Sequence, residues 1–89
     1  MPSPKVYVDV TVEFGPEGRM LPRALVWEDG RRYAIDRVKA IRPAYAERAG
    51  GMGDRYTVLV NGCERYLFFE RSTDTDRPEI GRWFVERKG

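Results

Sequence analysis

The dipeptide Asn61-Gly62 constrains this chain more than any other feature, because it stands between two runs suited to a pleated sheet. Residues 55–60 and 63–69 are dominated by β-branched and aromatic side chains, which fit strands better than helices. A two-residue type I′ turn needs positive φ at both central positions, which Asn tolerates and Gly adopts freely. With that turn Val60 faces Cys63, Val58 faces Arg65, and Tyr56 faces Leu67. Alternation then places Tyr56, Val58, Val60, Cys63, Leu67 and Phe69 on one side, the better core face. The other side carries Arg55, Thr57, Leu59, Glu64, Tyr66, Phe68 and Glu70, too apolar a mixture for plain solvated surface. A sheet apolar on both sides closes into a barrel, packs on a second layer or meets a partner.

Elsewhere the pattern is also that of strands. Residues 5–14 alternate strictly, with Val6, Val8, Val10, Val12 and Phe14 on one face and Lys5, Tyr7, Asp9, Thr11 and Glu13 on the other. That is a half-buried strand whose polar face suits a sheet edge. Residues 15–18 turn the chain, and residues 21–27 form a second strand with Pro22 near its start, where a missing N–H does least harm. Asp29-Gly30 repeats the hairpin signal. A two-residue turn there opposes Glu28 to Arg31, Trp27 to Arg32, Val26 to Tyr33 and Arg23 to Asp36, pairs that include two of opposite charge and one cation–π contact. The apolar phase of the third strand then changes from Tyr33 and Ile35 to Val38 and Ala40, which predicts a bulge or bend near Asp36 and Arg37.

Residues 42–54 read as an irregular, glycine-rich loop. Within it, residues 43–49 favour two helical turns, since alanine, glutamate and arginine follow a proline suited to a first helical position. Gly50, Gly51 and Gly53 end any regular structure. They form either a mobile loop or a place where backbone must approach something closely; with Arg42, Arg48 and Arg55 nearby, that something includes a phosphate. The spacing matches neither a P-loop nor a dinucleotide fingerprint. Residues 71–80 form a polar loop whose Asp74, Asp76 and Glu79 lack the EF-hand spacing. Residues 81–87 make a final strand, with Trp83 and Val85 on one side and Arg82, Phe84 and Glu86 on the other. The expectation is one all-β domain over residues 1–89, or mainly β with one short helix, preceded by a flexible stretch over residues 1–4. Its six antiparallel strands, in meander order, would make a small SH3-like, partly closed β-barrel.

The pieces Trp27-Glu-Asp29-Gly30-Arg31-Arg-Tyr33, Ile35-Asp36-Arg-Val38, Tyr66-Leu-Phe68 and Arg82-Trp83-Phe84-Val85-Glu86 resemble a group of small uncharacterised bacterial proteins. The likeness covers residues 24–87 and rests mostly on turn and core residues. It implies a shared β-rich fold and a cytoplasmic bacterial origin, and it assigns neither activity nor site residues.

Histidine is absent, so the commonest general base and metal ligand is missing, and a lone cysteine leaves neither an internal disulfide nor the usual structural zinc site. Cys63, with Arg65 in reach, reads as an incidental residue flanking its turn, because nothing resembles a nucleophile's supporting groups. No apolar run approaches the roughly 20 residues that span a bilayer, and the first residues do not read as a secretory signal. The expectation is a cytoplasmic, non-enzymatic protein without cofactor, metal or membrane.

The net charge of +2 names no partner, but 13 of the 16 basic residues are arginine, suited to bidentate contacts with carboxylate or phosphate. Trp27, Tyr66, Phe68 and Phe84 fall on strand faces that also carry Arg32, Arg55 and Arg82. With Arg31 and Arg42 these make the candidate binding surface. A protein partner or a homo-oligomer is the leading expectation, and single-stranded DNA or RNA the alternative, since small barrels that bind it combine aromatics with arginine. For Trp27 and Trp83, plain core packing is the reading favoured.

Overall fold

The computed structural model describes residues 5–45, 52–72, 76 and 78–87. Eight strands are formed: β1 (Lys5–Tyr7), β2 (Asp9–Phe14), β3 (Met20–Val26), β4 (Arg32–Ala34), β5 (Arg37–Tyr45), β6 (Met52–Val60), β7 (Cys63–Arg71) and β8 (Gly81–Glu86). They lie in two antiparallel sheets, β1-β8-β7-β6-β5 and β2-β3-β4. No helix occurs among the described residues, and the sheets are not closed into a barrel.

Eight strands replace the expected six because two extended stretches each change sheet midway. The first breaks at Val8, whose N–H bonds the Trp83 carbonyl and so stays with β8, while Asp9 begins pairing with Val26. The second breaks at the predicted phase change. There the Ile35 N–H bonds the Arg23 carbonyl of one sheet and the Asp36 N–H bonds the Leu59 carbonyl of the other. Adjacent amides thus tie the two sheets together at a corner, and the side-chain period restarts with β5.

The Asn61-Gly62 hairpin forms in the expected register, with φ of 51° and 75° at its turn residues and Val60 opposite Cys63, Val58 opposite Arg65 and Tyr56 opposite Leu67. The Asp29-Gly30 hairpin does not. Only Gly30 has positive φ, 84°, and Val26 pairs with Arg32, not with Tyr33. The Trp27 N–H bonds the Arg31 carbonyl, and the Gly30 N–H bonds the Trp27 carbonyl, so residues 28–30 make a three-residue loop with its left-handed residue last. The Asp29 carboxylate accepts the Arg31 N–H, stabilising that longer loop. The one-residue slip replaces every side-chain pair the shorter turn would have made. Arg23 pairs with Glu13 and Glu28 with Arg87.

The expected helical turns are overturned where they are described. Pro43, Ala44 and Tyr45 continue β5, opposite Asp54, Gly53 and Met52. Pairing along β6 outweighs the modest local preference of alanine for a helix. Pro43 is tolerated because β5 is the edge of its sheet. Of the expected irregular segment 42–54, residues 42–45 and 52–54 are strand, and residues 46–51 lie outside the described residues, as do residues 1–4, 88–89 and, within the polar loop, 73–75 and 77.

Between the sheets Leu25, Ile35, Tyr56, Val58, Leu67, Phe69 and Trp83 form a buried cluster, joined by the half-buried Trp27 and Tyr33. Both tryptophans are thus packing residues. Tyr56 and Phe69 flank Trp83 with ring centroids 5.0 Å away in each case. As expected, β2 is an edge strand.

Candidate functional site

Antiparallel register aligns one row of side chains across the whole five-stranded sheet, on the face turned away from the core. Tyr7 on β1 opposes Phe84 on β8, Phe84 opposes Phe68 on β7, Phe68 opposes Arg55 on β6, and Arg55 opposes Arg42 on β5. Tyr66 lies two residues along β7 from Phe68, and Arg82 two residues along β8 from Phe84, so strand alternation puts both on this face. The structure therefore gathers Arg42, Arg55, Tyr66, Phe68, Arg82 and Phe84. It leaves Trp27, Arg31 and Arg32 apart: Trp27 packs against the core, Arg31 lies near Asp29, and Arg32 reaches Thr11 from the three-stranded sheet.

The aromatics of the row are not equally available. Phe68 and Phe84 stack with centroids 5.0 Å apart and planes 8° from parallel, and both are buried. Tyr7 meets Phe84 edge-on at 5.9 Å, while the Lys5 ammonium lies 4.9 Å over the Phe84 ring. Tyr7 and Tyr66 remain exposed at 43% and 50%, each with an arginine on its ring. Arg82 sits 4.1 Å over Tyr7 and Arg55 sits 4.6 Å over Tyr66.

Charge is divided along the row. At the β1 and β8 end, Glu70 accepts hydrogen bonds from Lys5 and from the Tyr7 hydroxyl, with Arg82 at 3.5 Å. Burial tends to raise the Glu70 pKa, but these bonds and the two cations outweigh it and hold the carboxyl below its usual value. A depressed folded value stabilises the native state above the ordinary carboxylate range, and that contribution is lost as pH falls through the folded value. Glu70→Gln is expected to cost about 1–3 kcal/mol at neutral pH. The deficit should shrink in urea titrations as pH falls below about 4; a constant deficit would place its cause in packing.

At the β5 and β6 end the described residues provide no counter-charge. Among the described residues neither Arg42 nor Arg55 has a carboxylate partner, although they face each other directly. The Arg55 Nε is buried without a hydrogen bond. Farther along, Arg37 opposes Leu59 at the other end of the same strand pair, and the bulged Lys39 bonds Glu64.

Sequence reasoning missed Lys5 and Tyr7 as members of this face, and with them the ion-paired role of Glu70. Lys5 and Tyr7 share one alternating run with Asp9, Thr11 and Glu13, and only the break at Val8 sends them to a different sheet. The Glu70 position followed from the hairpin register, but its partner Lys5 comes from a strand 65 residues away in sequence.

On the core side, an open cleft of about 720 Å³ is floored by Tyr56 and Phe69 and walled by Phe14, Leu21, Ile41 and Ile80. The Asp54–Arg71 ion pair stands at its rim. Cys63 is exposed beside its turn.

These features define a small two-sheet all-β domain with a mixed aromatic and arginine face on its larger sheet. No protein-family model, curated protein or solved structure matches the chain. Among the described residues no helix is long and apolar enough to cross a membrane.

Proposed function

We propose that the chain is a non-enzymatic, cytoplasmic interaction module that engages a protein partner through the outer face of its five-stranded sheet. The observation that carries this reading is the row from Tyr7 to Arg42, which aligns aromatic and arginine side chains, the residue types enriched in protein interfaces. The absence of histidine supports a binding role over catalysis. The likeness of residues 24–87 to small bacterial β-rich proteins adds no activity to it.

Among the described residues the face carries six cationic side chains, Lys5, Arg37, Lys39, Arg42, Arg55 and Arg82, against Glu64, Glu70 and Glu86. Two copies meeting face to face would therefore bring like charge together, which favours a foreign partner over a homo-oligomer. Single-stranded nucleic acid is less well supported. Phe68 and Phe84, the ring pair at the centre of the row, are buried and offer no face for a base to stack on. The three carboxylates also interrupt any continuous track for phosphates.

Affinity capture with immobilised protein tests the reading. A partner retained by the wild type and by Arg31→Ala, but lost with Tyr66→Ala, is the expected result. Equal loss with Arg31→Ala, or retention by Tyr66→Ala, would move the interaction off this face.

A further inference from the structure

Two arginines directly opposite one another on neighbouring strands repel, and such a pair persists at a cost unless something anionic lies between or above it. Arg42 and Arg55 are in that position. Among the described residues no carboxylate relieves them. The nearest acidic residue in register, Asp54, alternates onto the opposite face and bonds Arg71 at 3.1 Å. Lys39 already satisfies Glu64 at 3.0 Å, and Lys5 and Arg82 share Glu70.

Arg55 is also held in place. Its guanidinium lies on the Tyr66 ring, which fixes its plane, and its Nε is covered while making no hydrogen bond. A guanidinium fixed on an aromatic ring keeps its remaining N–H donors aimed in one direction and loses little freedom on binding. Arg42, exposed on the edge strand beside it, supplies a second set of donors. Arg37 extends the positive strip along β5.

Resting on the proposed interaction face, we infer that Arg42 and Arg55 form an oxyanion seat, and that the partner is a protein segment placing an aspartate or glutamate carboxylate on it. The seat is local. Beyond it the face turns to the paired Glu70 and to Glu86, which receive a polyanion poorly but leave a short acidic segment undisturbed. Carboxylate binding would neutralise the facing arginines and give the fork donors of Arg55 the acceptor the fold withholds.

The test is fluorescence anisotropy with a labelled glutamate-rich octapeptide at low and at moderate salt, with an oligothymidylate of equal charge as a second probe. Saturable, salt-sensitive peptide binding is expected. Arg42→Glu should weaken it about tenfold or more and Arg55→Lys less, because lysine keeps the charge without the fork. Arg31→Glu, the same charge change on the other sheet, should leave it unaltered. The free Arg42→Glu protein should melt higher than wild type, since the new carboxylate faces Arg55.

Equal weakening by Arg31→Glu would reduce the effect to net charge and overturn the seat, as would a lower melting temperature for Arg42→Glu. Tighter binding of the oligothymidylate, lost in Arg42→Glu, would overturn the acidic protein segment in favour of nucleic acid. If the peptide fails to bind while Tyr66→Ala still abolishes partner capture, the seat falls and the interaction face stands. If neither peptide binding nor Tyr66-dependent capture is seen, both fall.

Discussion

Leu67→Ala is expected to remove a large part of the stability of this domain, while Tyr66→Ala, one residue away, costs little. Leu67 is 1% exposed and lies opposite Tyr56 in the core between the sheets. Truncating a buried leucine costs about 2–5 kcal/mol, through lost burial and the cavity left behind. A domain of this length holds only on the order of 5–13 kcal/mol in total. Tyr66 points the other way and is half exposed, so its truncation removes mainly the contact with Arg55, worth about 0.5–1 kcal/mol. Urea unfolding of the two variants reads the difference as a shift in midpoint at similar slope. Equal losses would mean that β7 does not present alternate residues to core and solvent, and with it the assignment of the outer face would fail.

Gly53→Ala carries the other large effect. A Cβ built at Gly53 would stand 1.9 Å from the Phe69 carbonyl oxygen and 2.9 Å from its carbon, on the neighbouring strand. Those are backbone atoms in a paired ladder, so relief requires β6 and β7 to part near the start of β6. The expected cost is about 2–4 kcal/mol. For a chain of this size that lowers the melting temperature by on the order of 10 °C or more. Gly62→Ala is the useful comparison. Gly62 needs its positive φ, 75°, but has open space around it, so alanine there meets strain without a clash and should cost about 1 kcal/mol. A Gly53→Ala protein as stable as wild type would show that the two strands are not in such close contact.

Gly53 also settles one sequence reading. The glycine cluster offered either a mobile loop or a close backbone approach, and at Gly53 it is the latter. The approach is to the Phe69 carbonyl of β7, not to a phosphate. Gly50 and Gly51 lie outside the described residues. The nearby arginines nonetheless matter together, because Arg42, which the sequence reading assigned to a loop, becomes the neighbour of the strand residue Arg55 once β5 and β6 pair.

What the sequence determined by itself was local. Asn61-Gly62 set a turn, the turn set a register, and the register assigned Tyr56, Val58, Leu67 and Phe69 to the core and Arg55, Tyr66 and Phe68 to the opposite face, because side-chain direction in a strand has a period of two. The bend at Asp36 was legible for the same reason, as a break in that period. Asp29-Gly30 misled because one dipeptide serves both two-residue and three-residue loops, and the choice fell to the Asp29 carboxylate and to packing across the three-stranded sheet.

The tertiary structure decided where the alternating runs go. Nothing in residues 5–14 marks Val8 as the point of departure, since both halves alternate alike. Only the presence of β8 on one side and β3 on the other divides them. That division brings Lys5 and Tyr7 to Glu70 and covers Phe84. The change of sheet at Ile35 and Asp36 likewise separates the arginine-rich hairpin at Arg31 and Arg32 from the row that ends at Arg42. Strand periodicity is written residue by residue, but which strands become neighbours depends on burying both sheets against one core, a property of the whole chain.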